Sequence, residues 1–345
     1  MRLKLLISAL EPSANLHLEP ILEGLESCEI FGIFDERFGK PFLSSGAFSI
    51  MGFLDALPKI REAKRAIKVM ARMSFFVDKV LLIDSPAFNL PLAKAIKTIN
   101  PNVQIIYYIL PKVWAWRPKR AAKLEKYCDI LASIFPFENL CYTKSTYVGN
   151  PLLDEIPHFK IRHEKTGTIA FLPGSRKSEI RALLPIYKEL AAKIEDKEKL
   201  LVIPAHFTYR EIVDIYGDLG MFKISRNTYD AFLQSEFAFV CSGTATLEAA
   251  LVGVPFVLAY KAKAFDYWIA KQFVKLKHVG LANILFDFEQ EEPLHVELLQ
   301  EEVYADNLLH VYEQTDQEVF FERATKLRTL LEHGSKEAMI SIMKL

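Results

Sequence analysis

Pro173-Gly174-Ser175-Arg176 sets a flexible backbone, a hydroxyl and a guanidinium side by side after the apolar run Ile169–Leu172. That combination suits a phosphate-bearing ligand, although a tight turn with a surface arginine would use the same four residues. Further along, Phe237–Cys241 leads through Ser242-Gly243-Thr244 into the helical pattern Ala245-Thr246-Leu247-Glu248. The free N–H groups and positive dipole end of a helix starting at Thr244 would receive a diphosphate without any lysine. Glu248, one turn in, would accept hydrogen bonds from sugar hydroxyls; the plainer reading is a Ser/Thr cap followed by an ordinary acid. In the first half of the chain, Asp84 closes the apolar run Leu81-Leu82-Ile83 and precedes Ser85-Pro86. A carboxylate in that place could take a proton from an attacking hydroxyl, or cap the helix after Pro86. Glu11 and His17 follow the first apolar run in the same manner. Val113-Trp114-Ala115-Trp116-Arg117-Pro118-Lys119-Arg120 joins two indoles to three cations, a costly group to expose unless something packs on it.

The elements that must hold these residues recur as short β-branched and aromatic runs separated by helical patterns, the mark of strand-helix-strand units in parallel sheets. One series runs through residues 3–9, 29–34, 79–84, 103–110 and 129–134; a second begins at 168–173 and continues through 199–205, 221–225, 237–242 and 256–260. The polar stretch from Pro151 to Gly167 reads as a linker between them. The expectation is α/β, two doubly wound domains facing across a cleft, over residues 1–155 and 165–305, with helices over 306–345 that pack back on a domain. Ligands of such sheets lie beyond the carboxyl ends of the strands.

The chain has 345 residues, 51% of them apolar, with Lys plus Arg and Asp plus Glu at 43 each. Two cores are affordable at that length, and no global charge excess favours nucleic acid. Cys28, Cys128, Cys141 and Cys241 have no CxxC spacing, so neither zinc site nor disulfide framework is indicated and a reduced, cytosolic chain is expected. No window reaches the ~20 apolar residues of a spanning helix. Neither a GxGxxG after the first strand nor a GxxxxGK[ST] is present. Two basic amphipathic segments suit an anionic membrane surface, or else are solvated faces. One sets Arg61, Lys64, Arg65, Lys68 and Arg72 beside an apolar stripe, after Phe53-Leu54 and before Phe75-Phe76; the other runs from Lys261 to Lys277.

Taken together, Ile83-Asp84-Ser85-Pro86 with Phe88-Asn89, Val113-Trp114-Ala115-Trp116-Arg117, Phe135-Pro136-Phe137-Glu138, Leu172-Pro173-Gly174-Ser175-Arg176, Ser242–Glu248 and Phe265–Lys271 followed by Asn283 resemble the lipid-A-disaccharide synthase family. The resemblance implies a GT-B fold, UDP held by the second domain, and a lipid acceptor held mainly by the first. It implies that UDP-2,3-diacylglucosamine is joined to 2,3-diacylglucosamine 1-phosphate with inversion. It further implies a peripheral place on the inner face of the inner membrane, and no cofactor. On this reading Asp84 or Glu11 is the base, and Gly174, Ser175, Arg176, Ser242, Gly243, Thr244, Glu248, Asn283, Ser13 and Trp116 hold substrates. Phe53, Leu54 and the cations from Arg61 to Arg72 would meet the membrane. No DxD-type metal motif ends a strand near either site, and nothing indicates the oligomeric state. The family's first loop is altered to Ala9-Leu10-Glu11-Pro12-Ser13-Ala14-Asn15, and Ala87 stands where the family has an Asp. Another GT-B nucleotide-sugar enzyme, such as a 2-epimerase, would share the fold. A non-catalytic lipid-binding protein would keep the basic apolar segments.

Overall fold

The computed structural model describes residues 2–25, 27–45, 57–261 and 276–345, with backbone alone at 57–60. Phe53 and Leu54, and most of the second basic segment, lie outside the described residues. The chain divides into two compact units, residues 1–154 with 333–345, and residues 155–332.

The first unit is a seven-stranded sheet in the order β3-β2-β1-β4-β5-β6-β7, every pairing parallel. Its strands are β1 (Leu3–Ser8), β2 (Cys28–Phe34), β3 (Leu43–Ser44), β4 (Lys79–Ile83), β5 (Gln104–Tyr108), β6 (Ile130–Ser133) and β7 (Ser145–Tyr147). Both faces are covered, so successive residues of one strand enter different cores. Leu6, Val80, Leu82, Ile105 and Tyr107 pack beneath helices α2 (Leu57–Met73), α3 (Pro86–Ile99) and α4 (Arg120–Tyr127). Leu5, Ile7, Leu81, Ile83, Ile106 and Tyr108 pack with Leu18 and Ile21 of helix α1 (Pro12–Gly24). The chain's last helix, Lys336–Lys344, completes this second core with Met339, Ile340 and Met343. Asp154 receives the N–H groups of Ser335 and Lys336 at 2.6 and 2.9 Å, which fixes where that helix begins.

The second unit is a six-stranded sheet, also parallel throughout, in the order β10-β9-β8-β11-β12-β13. Its strands are β8 (Thr168–Leu172), β9 (Glu198–Val202), β10 (Lys223–Ser225), β11 (Phe237–Cys241), β12 (Phe256–Tyr260) and β13 (Val296–Leu299). One face carries helix α5 (Lys177–Lys193), which buries Ile180, Leu183, Leu184 and Tyr187 on Phe171 and Phe239.

The two sheets share one topology. In each, strand order reverses beside the first strand, between β1 and β4 in one unit and between β8 and β11 in the other. Crossovers from two such neighbours leave toward opposite sides, which opens a crevice at their carboxyl ends. The loops that border the two crevices begin at Ala9, Asp84, Pro173 and Ser242.

Candidate functional site

At the crevice of the first unit, β4 ends at Ile83, and the next two residues turn into the left-handed region, Asp84 with φ +46° and Ser85 with φ +43°. For L-residues that conformation costs roughly 1–2 kcal/mol each, so the surroundings must enforce it. The Asp84 N–H donates to Tyr108 O (3.0 Å), while the Asp84 carbonyl accepts from the Tyr107 hydroxyl (2.5 Å) and Asn89 Nδ2 (2.9 Å). Asn89 is fully buried and is itself held by the Ser8 hydroxyl at 2.6 Å, so the two strands at the reversal are tied together. The Asp84 side chain is half-buried and its affinity for a proton is raised, first by loss of water and then by the nearby Glu11 carboxylate. The Ser85 N–H, Lys112 and His17 oppose the rise.

Across the crevice, Glu11 caps nothing with its side chain and stays exposed, taking a 3.4 Å hydrogen bond from the Ser85 hydroxyl. Ser13 is exposed in the first turn of α1. Asn15, the altered last position of the loop, is buried and structural: Nδ2 donates to Ala9 O and Glu11 O, and Oδ1 accepts from Asp35 N. A neutral amide can make all three bonds, whereas a carboxylate has no proton to donate to the two carbonyls.

The two tryptophans after β5 have separate duties. Trp114 stands edge-on to Phe135 and Phe137, and its indole N–H reaches Glu138 Oε1 at 3.3 Å. Glu138 is fully buried, and loss of water drives its carboxyl up to about 7 against the help of Trp114, two backbone N–H groups and Lys112. Trp116 is 44% exposed, with the Arg117 guanidinium 4.1 Å and the Arg120 guanidinium 5.4 Å from its ring centre.

In the second unit the crevice loops are Pro173–Arg176 and Ser242–Gly243. Gly174 has φ +110°, and a Cβ there would meet Glu179 Oε2 at 2.6 Å and Cys241 Sγ at 3.1 Å, so both the turn and the space require glycine. Glu179 ties the loop down, taking the Ser175 and Arg176 N–H groups at 3.2 Å each and the Arg176 guanidinium at 2.8 Å. That guanidinium nevertheless leaves 78% of the arginine side chain exposed. On the other side, Gly243 (φ +152°) precedes helix α6 (Thr244–Val252), and no side chain caps that helix. Its first N–H groups and its positive end therefore remain open to an anion. Half-buried Glu248, one turn further, has its carboxyl pushed up to about 7 by burial and by Glu155.

Asn283 does not join this group. It is fully buried at the amino ends of β12 and β13, the end opposite Gly174 and Ser242. Both of its amide protons go to His295 O and Glu297 Oε1, and its oxygen takes the N–H groups of Leu294 and His295. No bonding capacity is left for a ligand, so the expected substrate contact is corrected to a bracket for the start of β13. On α2, Arg61, Lys64, Arg65, Lys68 and Arg72 are all exposed while Ala66, Met70 and Ala71 enter the core. Phe75 and Phe76, next along the chain, are 58% and 75% exposed. Among the described residues no cluster of metal-binding side chains occurs and no helix is long and apolar enough to cross a membrane. Tyr107, Lys112 and Glu179 were not singled out by the sequence. Asn89 was quoted there as part of the motif at the end of β4, without a role.

Two doubly wound parallel sheets in one chain, each with charged loops at its reversal point, define the architecture of the GT-B glycosyltransferases. The solved structure of the calicheamicin glycosyltransferase CalG4 has the same fold, with a TM-score of 0.60, 12% identity, and coverage of 99% of this chain and 98% of that one. The family model for lipid-A-disaccharide synthetase matches residues 5–342. Lipid-A-disaccharide synthase of Campylobacter jejuni subsp. jejuni is 50% identical over 360 residues, covering 98% of each chain. The enzyme of that name from Helicobacter pylori is 45% identical over 354 residues, covering 98% of this chain and 97% of its own. The chain belongs to the lipid-A-disaccharide synthase family: it is a glycosyltransferase of lipid A disaccharide synthesis.

The buried acid beside Trp114 has a measurable signature. Because the folded state raises the Glu138 carboxyl from 4.5 to about 7, the folded protein holds a proton that the unfolded chain has released between those values. Stability is therefore lost as pH rises through this window, by about 3 kcal/mol at most. Urea unfolding of Glu138→Gln should show a shallower decline than wild type from pH 5 to pH 8. Parallel profiles would mean that Glu138 titrates normally.

Proposed function

We propose that the second unit binds UDP-2,3-diacylglucosamine, that the first binds 2,3-diacylglucosamine 1-phosphate, and that transfer inverts the donor's anomeric carbon. The observation that carries this reading is the division of chemistry between the two reversal points. One offers a carboxylate of raised proton affinity, Asp84; the other offers a guanidinium and an uncapped helix end, Arg176 and α6. Inversion by single displacement needs those two things. The acceptor hydroxyl gives its proton to Asp84 while its oxygen forms the bond to the anomeric carbon. The bond from that carbon to the diphosphate breaks, and UDP leaves with the electron pair. Desolvation helps Asp84 because a stronger base takes the proton more readily. Charge growing on the departing diphosphate is met by Arg176 and by the N–H groups at Thr244. Ser175, Ser242 and Gly243 border the diphosphate, and Glu248, protonated in part near neutral pH, can both donate to and accept from sugar hydroxyls. Glu11, Ser13 and Trp116 line the acceptor's side.

Asp84→Asn keeps the size and one accepting oxygen but not the basicity. Turnover with both lipid substrates should fall by ~10²-fold or more, while UDP affinity stays unchanged. An Asn variant that turns over normally would transfer the role to Glu11 or His17.

An acceptor with acyl chains stays in its bilayer, since each buried CH₂ contributes ~0.8 kcal/mol, so the enzyme must come to it. The reading places the protein peripherally on the cytoplasmic face of the inner membrane, held by the exposed cations of α2 with Phe75 and Phe76. The net charge of zero leaves this to a local patch. Each cation near an anionic surface is worth ~1 kcal/mol. Replacing Lys64, Lys68 and Arg72 together by Gln should weaken binding to anionic vesicles by about 10²-fold at low salt and leave UDP affinity intact. Equal vesicle binding by the two proteins would make this helix face a solvated surface only.

A further inference from the structure

Four cations that the reaction above does not use gather in one place. Arg117, Lys119, Arg120 and Lys123, with Pro118, line a surface pocket of about 360 Å³, near the lower end of the range for small-molecule sites. The lining contains no carboxylate, and none of the four pairs with an acid among the described residues. Like charges are instead crowded together: the Arg120 guanidinium is drawn down by burial and by Arg117 beside it. Both guanidiniums lie over the single Trp116 ring, which gathers them at one place. Arg117 also has φ +55°, a backbone cost that recurs where a side chain must be held for a ligand. Its carbonyl accepts the Arg120 N–H at 3.0 Å, and this turn starts α4 with the two arginines on one side.

The pocket stands next to the acceptor crevice. Arg120 is close enough to the Tyr107 phenol to influence it, and that phenol donates to the Asp84 carbonyl. We propose that this pocket binds the phosphate monoester of a sugar phosphate, with the Arg117 and Arg120 forks taking its oxygens and Lys123 adding charge. Two guanidinium forks side by side match a tetrahedral dianion better than the point charge of an ammonium. The ligand assignment rests on the proposed acceptor, whose phosphate and attacking hydroxyl sit at opposite sides of one sugar ring. With the phosphate anchored here, the hydroxyl is carried toward Asp84.

Calorimetric titration of the full chain with glucosamine 1-phosphate and with glucosamine tests this without turnover. Wild type should bind the phosphate ester at least about tenfold more tightly, as charge-assisted bonds require. Arg117→Gln with Arg120→Gln should erase the preference, and Arg120→Lys should keep part of what Arg120→Gln alone loses. Lys119→Gln with Lys123→Gln, changes at exposed lysines, should reduce it by a smaller factor without altering the urea midpoint. The wild type's lack of preference, or its survival in the double arginine variant, would overturn the proposal. Phosphatidylglycerol vesicles serve as the second probe. Loss of vesicle binding in the arginine variant, with no sugar phosphate preference in wild type, would make this a lipid headgroup contact and overturn it too. A preserved preference alongside absent glycosyl transfer would leave the pocket standing and remove the proposed reaction instead.

Discussion

Two neighbouring parallel strands whose crossovers depart to opposite sides cannot close the space between their carboxyl ends, and everything functional in this chain depends on that constraint. It operates twice, between β1 and β4 and between β8 and β11. Strands buried on both faces leave little room for charge at the middle of the sheets, so charged groups collect toward the strand ends. Helices that start at those points turn their N–H groups toward the same space. A carboxylate is thus desolvated at one reversal, and an anion seat is left uncapped at the other.

The corner at the end of β4 is enforced rather than relaxed. Asp84 and Ser85 hold left-handed dihedrals because Tyr107, Tyr108 and Asn89 bind the turn from beneath. The same buried layer carries the link outward, since Tyr107 lies between Asp84 and Arg120. In the second unit rigidity comes from one residue, Glu179, which gathers two N–H groups and the Arg176 guanidinium. That arrangement holds Arg176 in place but also shares its charge, so a diphosphate bound there as proposed would compete with Glu179 for the guanidinium. The family relationship fits this economy: apart from Asn283 and Phe265–Lys271, the motifs that resemble lipid-A-disaccharide synthases are the loops at the strand ends and their supports.

The central strands were legible because each is a continuous apolar run, as in Leu81-Leu82-Ile83 and Phe237–Cys241, and both sheets follow from those runs and the helical patterns between them. The edges were not. β3 and β7 span two and three residues, and β13 begins with an exposed Val296, so none presents an apolar run. Strand-end residues such as Asp84, Gly174 and Gly243 could be found from position alone. Their supports could not, because Tyr107 and Glu179 read as ordinary core and helix residues until the hydrogen bonds are seen. Asn283 shows the opposite failure: a buried amide in a recognisable motif looked like a ligand contact, and its four bonds turn out to be spent on β13.

The central claim is that donor and acceptor chemistry are divided between the two reversal points. Hydrogen–deuterium exchange of the full chain with and without UDP addresses it directly. Slower exchange is predicted over 173–179 and 242–248, where N–H groups would face the diphosphate, with residues 84–89 unaffected. Protection centred on Asp84 and α3, with none at Ser175 or Thr244, would contradict the account.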